Sequence, residues 1–293
     1  VSILILAAGG VLVPILYMQR QMFSSLMFAH RAVPRLSYVH TDPNYYALHV
    51  GTYMTFIAVL LLLQPRTVPR VKWLLLLLLG LNLLLTLSRG GVVALIAVLA
   101  IMAVALRRHI SGRAIILAVL FVAFVLAIVA MSVPRWLWLH QWERLTGTAQ
   151  EVSIGADPRV GQFQAAWSNI KASPVLGVGI GVSWGWAKFW RHSHCIVLEI
   201  LQDAGLIGLA GYLLMVGTVV MMSLRVVRRC EDPYLHSASI AALFALLYFH
   251  IQALTLDAVQ DVMLWALLGL NVAIAIVAQG QQQDQHGQQQ MQS

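Results

Sequence analysis

The 293 residues are 60% hydrophobic and only 10% charged, with a mean hydropathy of +0.79. Soluble domains carry about 25% charged residues, so a soluble globular fold is excluded. A net charge of +8 in a soluble protein would suggest nucleic acid. Here the basic residues fall mostly in connections between apolar runs, which is a membrane-orientation pattern, and no nucleic-acid partner is expected.

A helix needs about 20 apolar residues to cross a ~30 Å hydrocarbon core. In chain order the apolar runs predict eight spans, at 1–18, 45–63, 73–87, 91–106, 114–133, 196–224, 236–256 and 262–278. Nothing alternates like a barrel strand, and lipid cannot satisfy open backbone, so the expected fold is all-α, a polytopic transmembrane helix bundle. Residues 1–278 then form one transmembrane domain. The chain starts at Val1 without Met or a signal-peptide pattern, which reads as the truncated start of a longer protein.

Orientation comes from the short connections. Residues 64–72 carry Arg66, Arg70 and Lys72, residues 107–113 carry Arg107, Arg108 and Arg113, and residues 225–233 carry Arg225, Arg228 and Arg229. Alternation puts all three on one side, which is therefore cytoplasmic. The other side receives 19–44, the 88–90 turn, the long 134–195 loop and the acidic 257–261 turn. Arg20, Arg31 and Arg35 in 19–44 count against this scheme. Cys195 and Cys230 fall on opposite sides, so no disulfide between them is expected. Cysteine labelling in intact cells tests the scheme: an impermeant reagent should react at position 150 and not at 110, and the reverse would overturn it.

Three outer-side segments hold polar groups that apolar packing does not explain. Ser88-Arg89-Gly90-Gly91 interrupts a 73–106 stretch that is too long for one span and short for two, which would draw Arg89 below the membrane surface. A charge in that position usually marks a functional site, although an Arg can also snorkel to headgroups. In the long loop, Asp157-Pro158 starts a predicted amphipathic helix with Val160, Phe163, Trp167 and Ile170 as its apolar stripe, ended by Ser173-Pro174. Arg159 lies in its first turn against the helix dipole, a conflict that a bound phosphate, or a salt bridge to Asp157 or Glu151, would relieve. The third segment is His192-Ser193-His194-Cys195 before the sixth span.

A neutral imidazole at a helix start can act as a general base. His-x-His can also be half of a zinc site or a structural pair. No third ligand is near in sequence, so no metal is expected. Glu199 and Asp203 do not share a helical face with His194, and its orienting partner must come from elsewhere. Gly177-Val178-Gly179-Ile180-Gly181 lacks the strand and acidic residue of a dinucleotide loop and reads as a flexible bend. The Gln-rich residues 279–293 cannot bury apolar surface and are expected to form a disordered cytoplasmic tail.

From about Asp42 to Gly211 the chain resembles the O-antigen ligase and O-antigen polymerase superfamily of bacterial envelopes. The resemblance rests on Asp42-Pro43-Asn44 before a span, Ser88-Arg89-Gly90, Arg159 followed by Trp167, Pro174 and the Gly177/Gly179/Gly181 run, and His194 followed by Gly205 and Gly208. Members often have Asn or Ser where Cys195 stands. The resemblance implies an inverting, metal-independent glycosyltransferase of the bacterial inner membrane with its active site facing the periplasm and no cofactor. Its donor would be an undecaprenyl-diphosphate-linked glycan and its acceptor lipid A-core, with chain polymerisation, transfer to protein and non-enzymatic flipping as alternatives. By analogy His194 would be the base and Arg89 and Arg159 would hold the diphosphate, with His192, Asp42 and Asn44 also lining the substrate site.

Overall fold

The computed structural model describes residues 42–64, 71–86, 88–107, 158–179 and 193–292. Among these, every regular element is a helix: α1 (Pro43–Leu63), α2 (Val71–Leu85), α3 (Arg89–Ala105), α4 (Pro158–Ala172), α5 (Ile196–Arg229), α6 (Pro233–Ala253) and α7 (Val262–Gln292). Four are long and apolar enough to cross a membrane, at Pro43–Leu63, Ile196–Arg229, Pro233–Ala253 and Val262–Asp284. Helices α2 and α3 are shorter apolar helices. The expected spans at 1–18 and 114–133, and most of the 134–195 loop, lie outside the described residues.

The chain divides into two compact units, residues 1–54 with 70–164 and residues 55–69 with 165–293. In the first unit, the 73–106 apolar stretch does break in two. The buried Thr86 still donates its N–H to Asn82 O, and Ser88 is the N-cap of α3, its hydroxyl accepting from Gly91 N–H. Arg89 is therefore the first helical residue rather than the middle of a turn. Asn82 is buried within the apolar α2, which is tolerable because its polar atoms are satisfied. The Tyr46 hydroxyl donates to Asn82 Oδ1 at 2.9 Å, and Asn82 Nδ2 donates to Leu78 O at 2.7 Å.

The second unit is built on α5, α6 and α7. Small residues let these backbones approach closely, as in other membrane bundles. Ala242, Ala275 and Ala278 pack with Val226 and Ile274, and Phe56 from the end of α1 packs against them. Polar contacts fix the register. Ser223 Oγ donates to Asn271 Oδ1 at 2.8 Å, Ser239 Oγ donates to Ser223 O, and the Tyr212 hydroxyl meets His250 Nε2 at 2.8 Å. One end of this bundle gathers Gln64, whose amide donates to Pro233 O, and Gln282, whose amide donates to Arg229 O.

Two boundaries differ from the sequence expectation. The seventh span starts at Pro233 rather than 236, because Asp232 caps α6 by accepting from Tyr234 N–H and Leu235 N–H. The second difference is the tail. Residues expected to be disordered continue α7 to Gln292. Extending an existing helix needs no new nucleus, Gln is a good helix former, and the Gln282 bond anchors the first turn of the extension.

The sixth span differs most. Helix α5 has 34 residues, ~51 Å at ~1.5 Å per residue, and it is broken at Gly205, where φ is 64° and ψ is −162°. Residues 206–229 alone reach ~36 Å, enough to cross the hydrocarbon core. Residues 196–204 are a separate short segment.

Candidate functional site

The break in α5 leaves backbone groups that the segment after α4 satisfies. Val178 N–H donates to Gln202 O and Gly179 N–H to Asp203 O, while Leu206 N–H donates to Pro174 O and Ile207 N–H to Val175 O. Four bonds thus clasp residues 174–179 into the kink. Unpaired backbone in a lipid environment would cost several kcal/mol per group, so the clasp and the kink require each other. Glycine is obligatory at the contact. A Cβ on Gly177, at φ +73°, would lie 2.4 Å from Asp203 C, and one on Gly205 would lie 2.3 Å from Val175 O. The Gly177/Gly179 run is therefore a fixed clasp rather than the flexible bend expected; Gly181 lies outside the described residues.

The kink decides where His194 goes. The Tyr212–His250 contact sets α5 against α6, so the turn after α6 is roughly level with Gly205. In a straight α5, Ile196 would stand ~14 Å beyond Gly205. Instead the start of α5 is folded onto that turn, where Glu199 Oε2 accepts from Val259 N–H at 3.3 Å.

His194 then lies beside Asp257. Its Nδ1 is 4.0 Å from Asp257 Oδ2, and its side chain is 34% exposed against 7% for Asp257. Ser193, itself buried, donates to Asp257 Oδ1 at 2.8 Å. The carboxylate is thus pinned by one oxygen and presents the other to the imidazole. His194 adopts φ +48°, a left-handed conformation that His visits more readily than most residues but that still marks local strain. The turn carrying Asp257 is itself tightly bonded: Asp261 N–H donates to Ala258 O, Asp261 Oδ1 accepts from Met263 N–H at 2.8 Å, and Trp265 Nε1 donates to Val259 O. The buried acid thus faces a partly exposed imidazole at ion-pair distance, longer than a hydrogen bond.

Asp257 is an acidic neighbour of His194 that sequence spacing could not reveal, because it sits 64 residues from Ser193. The only advance signal is that the 257–261 turn was expected on the same side as the 134–195 loop.

In the first unit, Asp42 caps α1, its Oδ1 accepting from Asn44 N–H at 2.7 Å. Asn44 Oδ1 accepts from the Ser88 hydroxyl at 2.9 Å. Asp42 and Asn44 thus tie the start of α1 to the residue that caps α3 and fix the backbone from which the exposed Arg89 projects. Arg89 and Arg159 each occupy the first turn of a helix, whose N-terminal end is the positive end of the dipole. Arg159 is the second residue of α4. His192 lies outside the described residues.

Residues 74–213 match the family model described as O-antigen ligase. Over this stretch the chain is similar to the O-antigen ligase family. The matched stretch contains Arg89, Arg159, His194 and the clasp glycines Gly177, Gly179 and Gly205, while Asp257 lies beyond its end. No curated protein matches the chain significantly. Four helices among the described residues are long and apolar enough to cross a membrane, which agrees with that similarity.

Proposed function

We propose that the chain transfers a glycan from undecaprenyl diphosphate to lipid A-core at the periplasmic face of the bacterial inner membrane. The His194–Asp257 pair, within 4.0 Å and held by the kink at Gly205, is the observation that carries this reading. His194 accepts the proton of an acceptor hydroxyl, whose oxygen attacks the anomeric carbon of the donor. The bond from that carbon to the diphosphate oxygen breaks, and its electron pair leaves with undecaprenyl diphosphate. Asp257 stabilises the imidazolium that forms. Attack opposite the leaving group inverts the anomeric centre.

The leaving diphosphate needs cations, and Arg89 and Arg159 supply them. Each sits at a helix N-terminus that already favours an anion, so a phosphate would relieve the conflict between the guanidinium and the dipole. Asp42 and Asn44 act on the donor through Arg89 by fixing its backbone, and His192 completes the substrate site. A bidentate guanidinium fits phosphate better than the point charge of Lys. Arg89→Lys and Arg159→Lys are therefore expected to slow transfer although charge is kept, and the Ala variants to raise the donor concentration needed for half-maximal rate. Initial rates against donor at saturating acceptor check this. If only the acceptor dependence changed, both arginines would belong to the acceptor side.

Asp257→Asn should lower the maximal rate less than loss of His194 does and leave the donor dependence unchanged. The amide preserves a group for Ser193 to bond while removing the charge that faces the imidazole.

A further inference from the structure

We infer that the clasp is also a membrane anchor: Val175 and Leu176 insert into the outer edge of the bilayer beside Leu206 and Ile207, and Trp167 and Lys171 mark the headgroups above them. The inference concerns only the second unit and does not depend on the reaction proposed.

The four backbone bonds of the clasp place Val175 and Leu176 alongside residues 206 and 207 of α5. All four side chains are exposed, at 52% and 71% for Val175 and Leu176 and 56% and 60% for Leu206 and Ile207. They form one apolar patch, and it continues along α5 through Leu213 and Leu214, exposed at 58% and 71%. That band belongs to a span, so lipid covers it, and the same solvent reaches the tip of the clasp.

The depth follows from charge. Arg225 is the first charged residue at the far end of α5. Counting ~20 residues, or ~30 Å, back from it reaches Gly205. The kink therefore lies at the outer edge of the hydrocarbon, with Leu206 and Ile207 just inside it.

Helix α4 supplies the matching headgroup layer. Of the expected apolar stripe Phe163 and Trp167 are exposed, at 40% and 53%, whereas Ile170 is buried together with Ala166. The Lys171 ammonium sits 5.8 Å from the centre of the Trp167 ring. The exposed positions Ser168, Lys171 and Ala172 include a cation and no acid, which complements anionic lipid. Trp at the interface and Lys at phosphate level are what a bilayer boundary selects, and the apolar tip lies only four to five residues further along. An anchor at this point fixes the depth of residues 196–204 and hence of His194.

Fluorophore quenching in the full chain tests the placement. With Cys195 and Cys230 replaced by Ser, single cysteines at 168, 176 and 213 would carry an environment-sensitive dye in vesicles of phosphatidylethanolamine and phosphatidylglycerol. Nitroxides on lipid headgroups or on acyl chains would be the membrane quenchers, and iodide the aqueous one. The dye at 176 should be quenched by acyl-chain nitroxide, as at 213, with a blue-shifted emission and loss of iodide quenching. The dye at 168 should respond to iodide and to headgroup nitroxide. Iodide quenching at 176 equal to that at 168 would put the tip in water. Resistance of 176 to every quencher would mean that protein covers it. Either result overturns the anchor, and neither bears on whether the chain transfers glycans.

Discussion

His194→Ala is expected to lower glycan transfer by roughly 10²- to 10⁴-fold, the usual contribution of general acid–base catalysis, while protein level and donor binding stay near those of the parent. The imidazole is half-exposed beside Asp257, so its removal leaves no core cavity. In the proposed reaction it also removes the acceptor of the hydroxyl proton. His192→Ala should be milder, because only His194 has the spacing to Gly205 seen in the family resemblance. Rates measured side by side decide the assignment: a larger loss for His192→Ala would move the base to His192.

Gly205→Ala should be nearly as damaging, for a different reason. Its φ and ψ fall in a region that is essentially restricted to glycine, and forcing another residue there costs ~1–3 kcal/mol. The new Cβ would also meet Val175 O at 2.3 Å, so the clasp must open. Each of its four backbone bonds is worth ~0.5–1.5 kcal/mol net, and the amides and carbonyls released face an apolar setting. Residues 196–204 then lose their fixed angle, and His194 leaves Asp257. Gly177→Ala meets Asp203 at 2.4 Å and should reproduce the defect. Gly211→Ala is the control: nothing lies within 4 Å of its Cβ, and Ala is ~1 kcal/mol the better helix former. Thermal unfolding and protease cleavage between 174 and 192 should change in the first two variants and not in the third. An intact clasp and full activity in Gly205→Ala would contradict the geometry.

The membrane helices were legible in the sequence because their signal is local. Apolar runs define α1, α5, α6 and α7, the polar break at Ser88 separates α2 from α3, and His194 stands at a helix start. What the sequence hid was long-range. Asp257 approaches His194 only after two further helices have packed. The Gly177 run reads as flexible when considered alone, and the need for glycine there and at Gly205 emerges only when the 174–179 backbone is seen to fill the Cβ space of Gly205 and the Asp203 backbone that of Gly177. Asp42 and Asn44 were noticed before a span, but their capping of α1 and tie to Ser88 depend on α3 returning to the same place. Asp232-Pro233 was a readable start signal of the same kind as Asp157-Pro158, and using it would have placed α6 correctly.

The transfer reaction itself is the most direct test. The purified full chain would be given a defined undecaprenyl-diphosphate-linked glycan and lipid A-core, with excess donor as the competing acceptor and the His194→Ala chain in parallel. The predicted result is glycan joined to lipid A-core with inverted anomeric configuration, one undecaprenyl diphosphate released per transfer, and loss of both with His194→Ala. Donor glycans lengthened on their own lipid, or donor moved across the membrane without a new glycosidic bond, would contradict it.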